Sequence, residues 1–220
     1  MKPLLIATAF LAIASSAAAD SIQGYPKIID GDTLRFGDVT IRMFGIDAAE
    51  AGQTCQTASG KRWRCADAAM NRLEELVSGG TVCEGRERDV YGRVLAACYM
   101  PDGTDINQKL VAEGLVWAFR RYSDTYNEVE DVAKASGVGI WQAETQTPWD
   151  YRNARWEVAE QESPDGCPIK GNINNKGEAI YHPPWSPWYT RTKIDVSKGE
   201  RWFCNEAEAV EAGWRAPGWR

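Results

Sequence analysis

Three acidic residues and an arginine lie close together in two short stretches near the start of the chain. Asp32 belongs to "IDGDT", whereas Arg42, Asp47 and Glu50 belong to "RMFGIDAAE". Carboxylate oxygens are hard ligands, which suit Ca2+ or Mg2+ rather than a soft metal. The planar guanidinium of an arginine can donate two hydrogen bonds to one phosphate. These residue types therefore indicate metal-assisted phosphate chemistry.

The same residues also have an ordinary structural interpretation, which their spacing alone does not exclude. Asp-Gly-Asp is common turn chemistry, an arginine on a strand usually faces solvent, and acids in a loop favour solubility. The chain has one histidine, His182, which lies far from these stretches. This excludes a Ser-His-Asp or Cys-His catalytic device and a two-histidine zinc site in the first part of the chain. An enzyme built on this part must use carboxylates, arginines and a hard metal.

The elements that must position these residues follow a mixed order of strands and helices. Strands are predicted around Asp-Gly and Gly-Asp turns and on both sides of one polar turn, and helices follow apolar residues at helical spacing. This order predicts an α+β fold, with an OB-fold-like β-barrel of five strands and about three helices. The predicted strand regions are 22–44, 81–100 and 115–122, and the predicted helices are 66–77, 105–114, 124–135 and 148–160.

The first residues have the pattern of an export signal. "MKPLLIATAFLAIASSAAAD" combines a lysine, a short apolar run and small residues that end in Ala17-Ala18-Ala19. The run is too short to span a bilayer comfortably. We interpret residues 1–19 as a signal peptide that is cleaved before Asp20, so that the mature chain is soluble and acts in the periplasm or outside the cell.

The cysteines support an oxidising compartment. All six lie after the predicted cleavage site, and an even number in an exported chain favours disulfides. Six cysteines allow fifteen pairings. We favour local pairs, and a zinc site is disfavoured because no C-x-x-C pair exists. The favoured pairs are Cys55 with Cys65, Cys83 with Cys98, and Cys167 with Cys204.

The net charge limits the class of partner. It is −6 for the full chain, which argues against a protein that coats nucleic acid in general. A local basic groove could still bind a polyanion. We expect a monomer with no stable membrane insertion.

Four ordered motifs carry a resemblance to a known family. "IDGDT", "IRMFGIDAAE", "DVYGRVLA" and "GLVWAFRRY" resemble, in this order and spacing, staphylococcal nuclease and its secreted thermonuclease relatives. The likeness spans residues 22–141. It implies an exported calcium-dependent nuclease that hydrolyses DNA or RNA by in-line attack of water on a phosphodiester.

The resemblance also implies roles for individual residues. Asp32, Asp47 and the backbone carbonyl of Ala48 would be calcium ligands, and Glu50 would act on the attacking water. Arg42 and Arg93 would clamp the scissile phosphate, and Tyr91 and Tyr122 would line the nucleotide pocket. Arg120 stands where an aromatic residue of the family would stack on a base, and we include it among the substrate-binding residues. Near a metal and two guanidiniums, the pKa of Glu50 should be lowered.

The chain departs from the family at several positions. Ala49 replaces a proline before Glu50, and Val90 replaces a lysine that often contacts a terminal phosphate. The segment "CQTASGKRWRC", residues 55–65, is an insertion. Its basic residues around Trp63 could contact substrate, but a solvated loop closed by a disulfide is the alternative that we favour.

The C-terminal part is a separate matter. We divide the chain into a nuclease-like domain at 20–145, a helical linker at 146–166 and a small disulfide-stapled module at 167–220. The module resembles Cys-bracketed extensions of some exported bacterial nucleases, and its ligand is not indicated. Two alternatives to a nuclease are a nuclease-like binding module without catalysis and an envelope-attached interaction protein that acts through the tail.

Overall fold

A computed structural model describes residues 21–217. The predicted signal peptide, residues 1–19, lies outside the described residues. The described chain has a nuclease-like part, one long helix after it and a C-terminal module.

A curled six-stranded sheet forms the frame of the nuclease-like part. Its strands lie in the order β1-β8-β9-β4-β3-β2, and β4 and β9 run parallel. A separate ribbon pairs β5 with β10, and β6 pairs with β7 in a short hairpin. The strands of this part are β1 (Ser21–Gly24), β2 (Lys27–Asp30), β3 (Thr33–Phe36), β4 (Val39–Met43), β5 (Ile46–Ala48), β6 (Cys55–Gln56), β7 (Arg62–Trp63), β8 (Thr81–Glu84), β9 (Val94–Tyr99) and β10 (Val116–Ala118).

Three helices cover this sheet: α1 (Cys65–Val77), α2 (Ile106–Ala112) and α3 (Asn127–Ala135). Helix α1 buries Ala69, Leu73 and Leu76, which share one face at helical spacing. They pack with Leu34 and Ile41 of the sheet in the main core. The predicted α+β fold with an OB-like sheet is therefore confirmed, although the main sheet has six strands and the strand predicted at 115–122 is confined to β10.

Helix α4 (Pro148–Glu162) joins the two parts of the molecule. Thr147 caps its first turn by accepting a hydrogen bond from the Asp150 amide, and Pro148 needs no donor partner there. Trp149 packs against a nuclease-side cluster that includes Trp117, whereas Trp156 packs against the core of the C-terminal module. The helix region predicted as a linker thus contributes side chains to both parts.

The C-terminal module has a small core of its own. Strands β11 (Ile169–Ile173), β12 (Ala179–His182) and β13 (Arg201–Phe203) form a sheet in the order β12-β11-β13, and α5 (Glu206–Glu211) follows. The core contains one aliphatic residue, one alanine and three aromatic residues: Ile169, Ala209, Tyr181, Phe203 and Trp214. So small a core needs support from a cross-link.

Three disulfides join the pairs that the sequence predicts. Cys55–Cys65 connects the β6–β7 hairpin with the start of α1, and Cys83–Cys98 links directly opposite residues of β8 and β9. Cys167–Cys204 ties the start of the module to the end of β13. No helix among residues 21–217 is long and apolar enough to cross a membrane.

Candidate active site

The main cavity lies between the curled sheet and the C-terminal module. Its volume is about 900 Å³. Outside the module, its walls carry most of the residues that the sequence assigns to chemistry, together with two further acids, one aromatic residue and one arginine of α4. These residues are Asp30, Asp32, Arg42, Asp47, Ala48, Glu50, Asp89, Tyr91, Arg93, Phe119, Tyr122 and Arg152.

A tight turn between β2 and β3 brings Asp32 to this cavity. A side chain on Gly31 would place its Cβ 2.7 Å from the Cβ of Ala48, so only glycine allows this approach of the turn to β5. The carboxylate of Asp32 accepts a hydrogen bond from the Ala48 amide at 2.7 Å. The turn and β5 are therefore held together by a buried carboxylate.

Arg42 on β4 connects two of the acids. Its guanidinium forms an ion pair with Asp32, and its Nη2 lies 2.7 Å from Oδ1 of Asp47. The side chain of Asp47 is only 1% exposed. A carboxylate buried to this degree needs a charged or hydrogen-bonding partner, because desolvation penalises the charge. Arg42 supplies part of that compensation.

Arg152 of helix α4 supplies the rest. Its Nη2 lies 2.7 Å from Oδ2 of Asp47, and its Nη1 lies 2.6 Å from Oε1 of Glu50. The three tryptophan and arginine positions 149, 152 and 156 share one helix face by their spacing. This face packs Trp149 and Trp156 against the two parts of the molecule and directs Arg152 to the carboxylates between them.

Burial dominates the titration of Glu50. It raises the pKa of Glu50 to about 7, because removal from water favours the neutral acid more strongly than the charge of Arg152 favours the carboxylate. The lowered pKa expected for Glu50 beside a bound metal and two guanidiniums concerns the ion-bound site and stays a prediction. Burial likewise raises the pKa of Asp30, against the opposing charge of Arg42.

Arg93 approaches the cavity from the turn before β9. Its Nε lies 2.7 Å from Oδ2 of Asp89, whose other oxygen accepts hydrogen bonds from the amides of Tyr91 and Arg93. The guanidinium also lies 5.1 Å from the ring centroid of Tyr91. These contacts orient Arg93 toward the same cavity as Arg42.

Of the other two predicted substrate-binding residues, one lines the cavity and the other does not. Tyr122 lines the cavity and is 70% exposed. Arg120 does not line it; its guanidinium pairs with Glu130, at 2.6 Å, and with Asp131 of α3. In the insertion, Trp63 packs against the cluster around Trp117, away from the cavity walls. Arg120 is thus not brought to the predicted site, and the insertion has the features of a closed loop.

Several residues of the site were missed from the sequence. Asp30 stands two residues before Asp32 at the end of a strand, and this alternation was a usable signal. Arg152 is 105 residues from Asp47, and no local pattern indicates their contact. The same holds for Glu206 and Arg215, which line the cavity from the C-terminal module.

The donor set is chemically suited to a hard cation. Asp32, Asp47 and Glu50 offer carboxylate oxygens, which Ca2+ prefers. Within residues 21–217, however, no group of three or more His, Cys, Asp or Glu side chains converges as a ready metal site. The guanidinium of Arg152 is a stand-in cation on Asp47 and Glu50, and it satisfies their charge in this conformation.

Comparison with known proteins gives the family context. A family model described as staphylococcal nuclease homologue matches residues 40–143, and one described as ArfC matches residues 151–216. The chain is 33% identical over 144 residues to the succinoglycan biosynthesis protein ExoI of Rhizobium meliloti (strain 1021), a match that covers 63% of this chain and 74% of that protein.

Two further relatives carry nuclease names. An uncharacterized endonuclease of Escherichia coli is 31% identical over 137 residues, which cover 59% of this chain and 83% of that protein. A micrococcal nuclease of Shigella flexneri is 30% identical over 167 residues, which cover 68% of this chain and 91% of that protein. The predicted enzyme class, a nuclease, is confirmed by these matches and by the family model. The chain belongs to the staphylococcal nuclease family.

Proposed function

We propose that the protein is an exported, Ca2+-dependent nuclease that cleaves DNA, RNA or both by attack of water on a phosphodiester. The observation that supports this most strongly is the shared cavity of Arg42, Arg93 and Glu50. Two guanidiniums can bind the phosphoryl oxygens, and a carboxyl group beside them can act on the water. Such donors stabilise the charge that develops in the transition state.

The proposed chemistry replaces one phosphorus–oxygen bond by another. The oxygen of a water attacks phosphorus while one of its protons passes to the carboxylate of Glu50. The bond from phosphorus to the sugar oxygen breaks, and that oxygen keeps the electron pair and takes a proton from solvent. Arg42 and Arg93 hold the phosphoryl oxygens while negative charge increases on them. In the site without an ion, burial raises the pKa of Glu50 to about 7, and a base works best with a pKa near the operating pH.

Calcium would be held by Asp32, Asp47 and the Ala48 carbonyl, with Glu50 nearby. When bound, it supplies positive charge against the phosphoryl oxygens. Because Arg152 already donates to both Asp47 and Glu50, those hydrogen bonds must be given up before the two carboxylates can serve an ion. The ion and Arg152 are therefore expected to compete for the same oxygens.

Export is part of the proposal. The pattern of residues 1–19 is that of a signal peptide, and the three disulfides among the described residues are consistent with an oxidising compartment. We further propose a monomer whose domain limits follow those expected from the sequence. The tail in this proposal remains attached to the nuclease-like part through α4.

The test uses the purified, disulfide-intact protein with end-labelled single-stranded DNA and RNA, with Ca2+ or with a chelator. We expect cleavage with Ca2+ and its loss with the chelator. Arg93→Ala should abolish most cleavage, whereas Arg121→Ala, an exposed arginine outside the cavity walls, should not. Tight binding without cleavage under every condition would instead identify the alternative, a nuclease-like binding protein.

A further inference from the structure

A second cavity lies on the C-terminal module. Its volume is about 600 Å³. Its walls carry three arginines, one glutamate and one tryptophan: Arg35, Arg191, Arg215, Glu178 and Trp188. Arg35 comes from β3 of the nuclease-like part, whereas the others come from the module. Both parts of the molecule therefore build this cavity.

The second cavity is continuous with the candidate active site. Arg35, Arg215 and Pro217 line both of them. An extended molecule that occupies the first cavity can therefore continue into the second along these residues. We call these two adjoining cavities, which share three wall residues, the groove.

Positive charge in the second cavity is only partly compensated. Arg215 lies 3.0 Å from Glu178. Among residues 21–217, Arg35 and Arg191 have no carboxylate within salt-bridge distance, and both are exposed. In a chain whose net charge is −6, two uncompensated guanidiniums in one concave surface are a local exception. They favour an anionic ligand.

The aromatic residues along the groove narrow the class of anion. Arg191 lies 5.7 Å from the ring centroid of Trp188, and Trp185 lines the first cavity. Proteins that bind single-stranded nucleic acid combine guanidiniums spaced along the sugar-phosphate backbone with aromatic rings that stack on the bases. A simple inorganic anion needs neither the length of the groove nor its rings.

We propose that the second cavity is a subsite for the backbone of a single-stranded polynucleotide whose scissile linkage lies between Arg42 and Arg93. This subsite rests on the proposed nuclease function and extends it. Arg35 and Arg191 contact phosphates several nucleotides from the point of cleavage, and the module lengthens the substrate that the enzyme recognises. The C-terminal module thereby favours long strands over very short ones.

The test compares substrate lengths in the full chain. The variant Arg191→Ala should raise KM for a labelled 20-nucleotide DNA about threefold to tenfold and leave KM for a trinucleotide unchanged, because Arg191 lines the second cavity and not the first. The salt dependence of binding to the longer strand should weaken as well. With one phosphate contact removed, the slope of log K against log salt should become shallower by about 0.7.

Lys198→Ala is the matched control, because Lys198 is an exposed cation of the same module that lines neither cavity. This variant should leave KM unchanged for both the 20-nucleotide DNA and the trinucleotide. An equal change for both lengths, or no change for either, would overturn the subsite. So would equal binding of a polyglutamate of the same charge. Failure of the unmodified protein to cut any polynucleotide would instead overturn the nuclease function itself.

Discussion

The nuclease-like part and the C-terminal module treat charge in opposite ways. In the first, Asp47 is nearly inaccessible and each of its oxygens meets a guanidinium, from Arg42 on one side and Arg152 on the other. In the second, Arg191 lines an open cavity whose walls carry one acid, Glu178, and Arg35 of β3 reaches the same cavity from the nuclease-like part. Buried, paired charges can be held in fixed positions for chemistry, whereas exposed charges can exchange counterions for a ligand.

This comparison suits the nuclease-like part to the proposed catalysis and the C-terminal module to binding of the strand. The proposed catalysis needs groups that are held within a small tolerance, and the hydrogen bonds around Asp32 and Asp47 hold these two carboxylates in place. Binding of a flexible strand needs charge and ring surface along a path. Helix α4 belongs to both, since it carries an arginine to the chemistry and packs a tryptophan into each part.

The largest expected effect separates chemistry from binding. Glu50→Gln preserves the shape of the side chain but removes its ability to accept the proton of water, so kcat should fall by about 10²–10⁴-fold. The Kd for single-stranded DNA should change little. Stopped-flow cleavage and fluorescence anisotropy measure the two quantities. Unchanged turnover would remove Glu50 from the mechanism. The paired charges of the nuclease-like part would then have no demonstrated role in chemistry.

Arg152 provides the next largest effect, on stability. Arg152→Ala leaves Asp47 and Glu50 without one of their charged partners, and loss of one partner from a buried ion pair costs about 3–5 kcal/mol. The free energy of unfolding in urea, with a chelator present, should fall by that order. Arg155→Ala on the exposed face of the same helix should cost far less.

The same variant tests the competition with an ion. Without Arg152, Oδ2 of Asp47 and Oε1 of Glu50 lose the guanidinium that competes with a cation, so the affinity for Tb3+ should rise, as read from its luminescence in the absence of substrate. The stabilisation by added Ca2+ should then be greater in Arg152→Ala than in the unmodified protein. Equal Tb3+ affinity in the two proteins would mean that Arg152 and the ion do not share these oxygens.

The smallest effect concerns the module alone. His182 is buried, its Nε2 donates to Asn172 at 2.8 Å, and burial together with nearby cations lowers its pKa from 6.5 to about 4. The folded module therefore holds a neutral imidazole. The contribution of this imidazole to the free energy of unfolding is fully present above pH 6.5 and is lost as the pH falls toward 4. The loss between pH 7.5 and 4.5 should be about 2–3 kcal/mol.

His182→Gln is the comparison for this prediction, since the amide does not titrate in that range. Its free energy of unfolding, followed by tryptophan fluorescence, should depend on pH less steeply than that of the unmodified protein. An equal pH dependence of the two proteins would show that His182 does not titrate as its surroundings indicate.

The sequence predicts the nuclease-like part far better than it predicts the contacts that helix α4 and the C-terminal module make with that part. Arg42, Asp47 and Glu50 lie within nine residues, so one strand and one turn decide their positions. Arg120 shows the limit of such local reasoning. Its position in the chain suggests the pocket, but the carboxylate of Glu130, which also accepts from the Ala118 amide, draws its guanidinium toward α3.

Contacts between distant segments could not be derived from spacing. The face of α4 that carries residues 149, 152 and 156 is visible in the sequence, yet the surface that it meets depends on the packing of two separate cores. The second cavity is a stronger case, because Arg35 and Arg191 are brought together by the docking of the module and by no local pattern.

The most direct measurement for the account as a whole is the origin of the oxygen in the product. The disulfide-intact protein cleaves single-stranded DNA in a single turnover in oxygen-18 water. The mass of the new phosphate end is then determined by mass spectrometry. Attack by water at the cavity of Arg42, Arg93 and Glu50 predicts one oxygen-18 atom in every new phosphate. A phosphate end without the heavy isotope would contradict the account, and so would failure to cut both single-stranded DNA and single-stranded RNA.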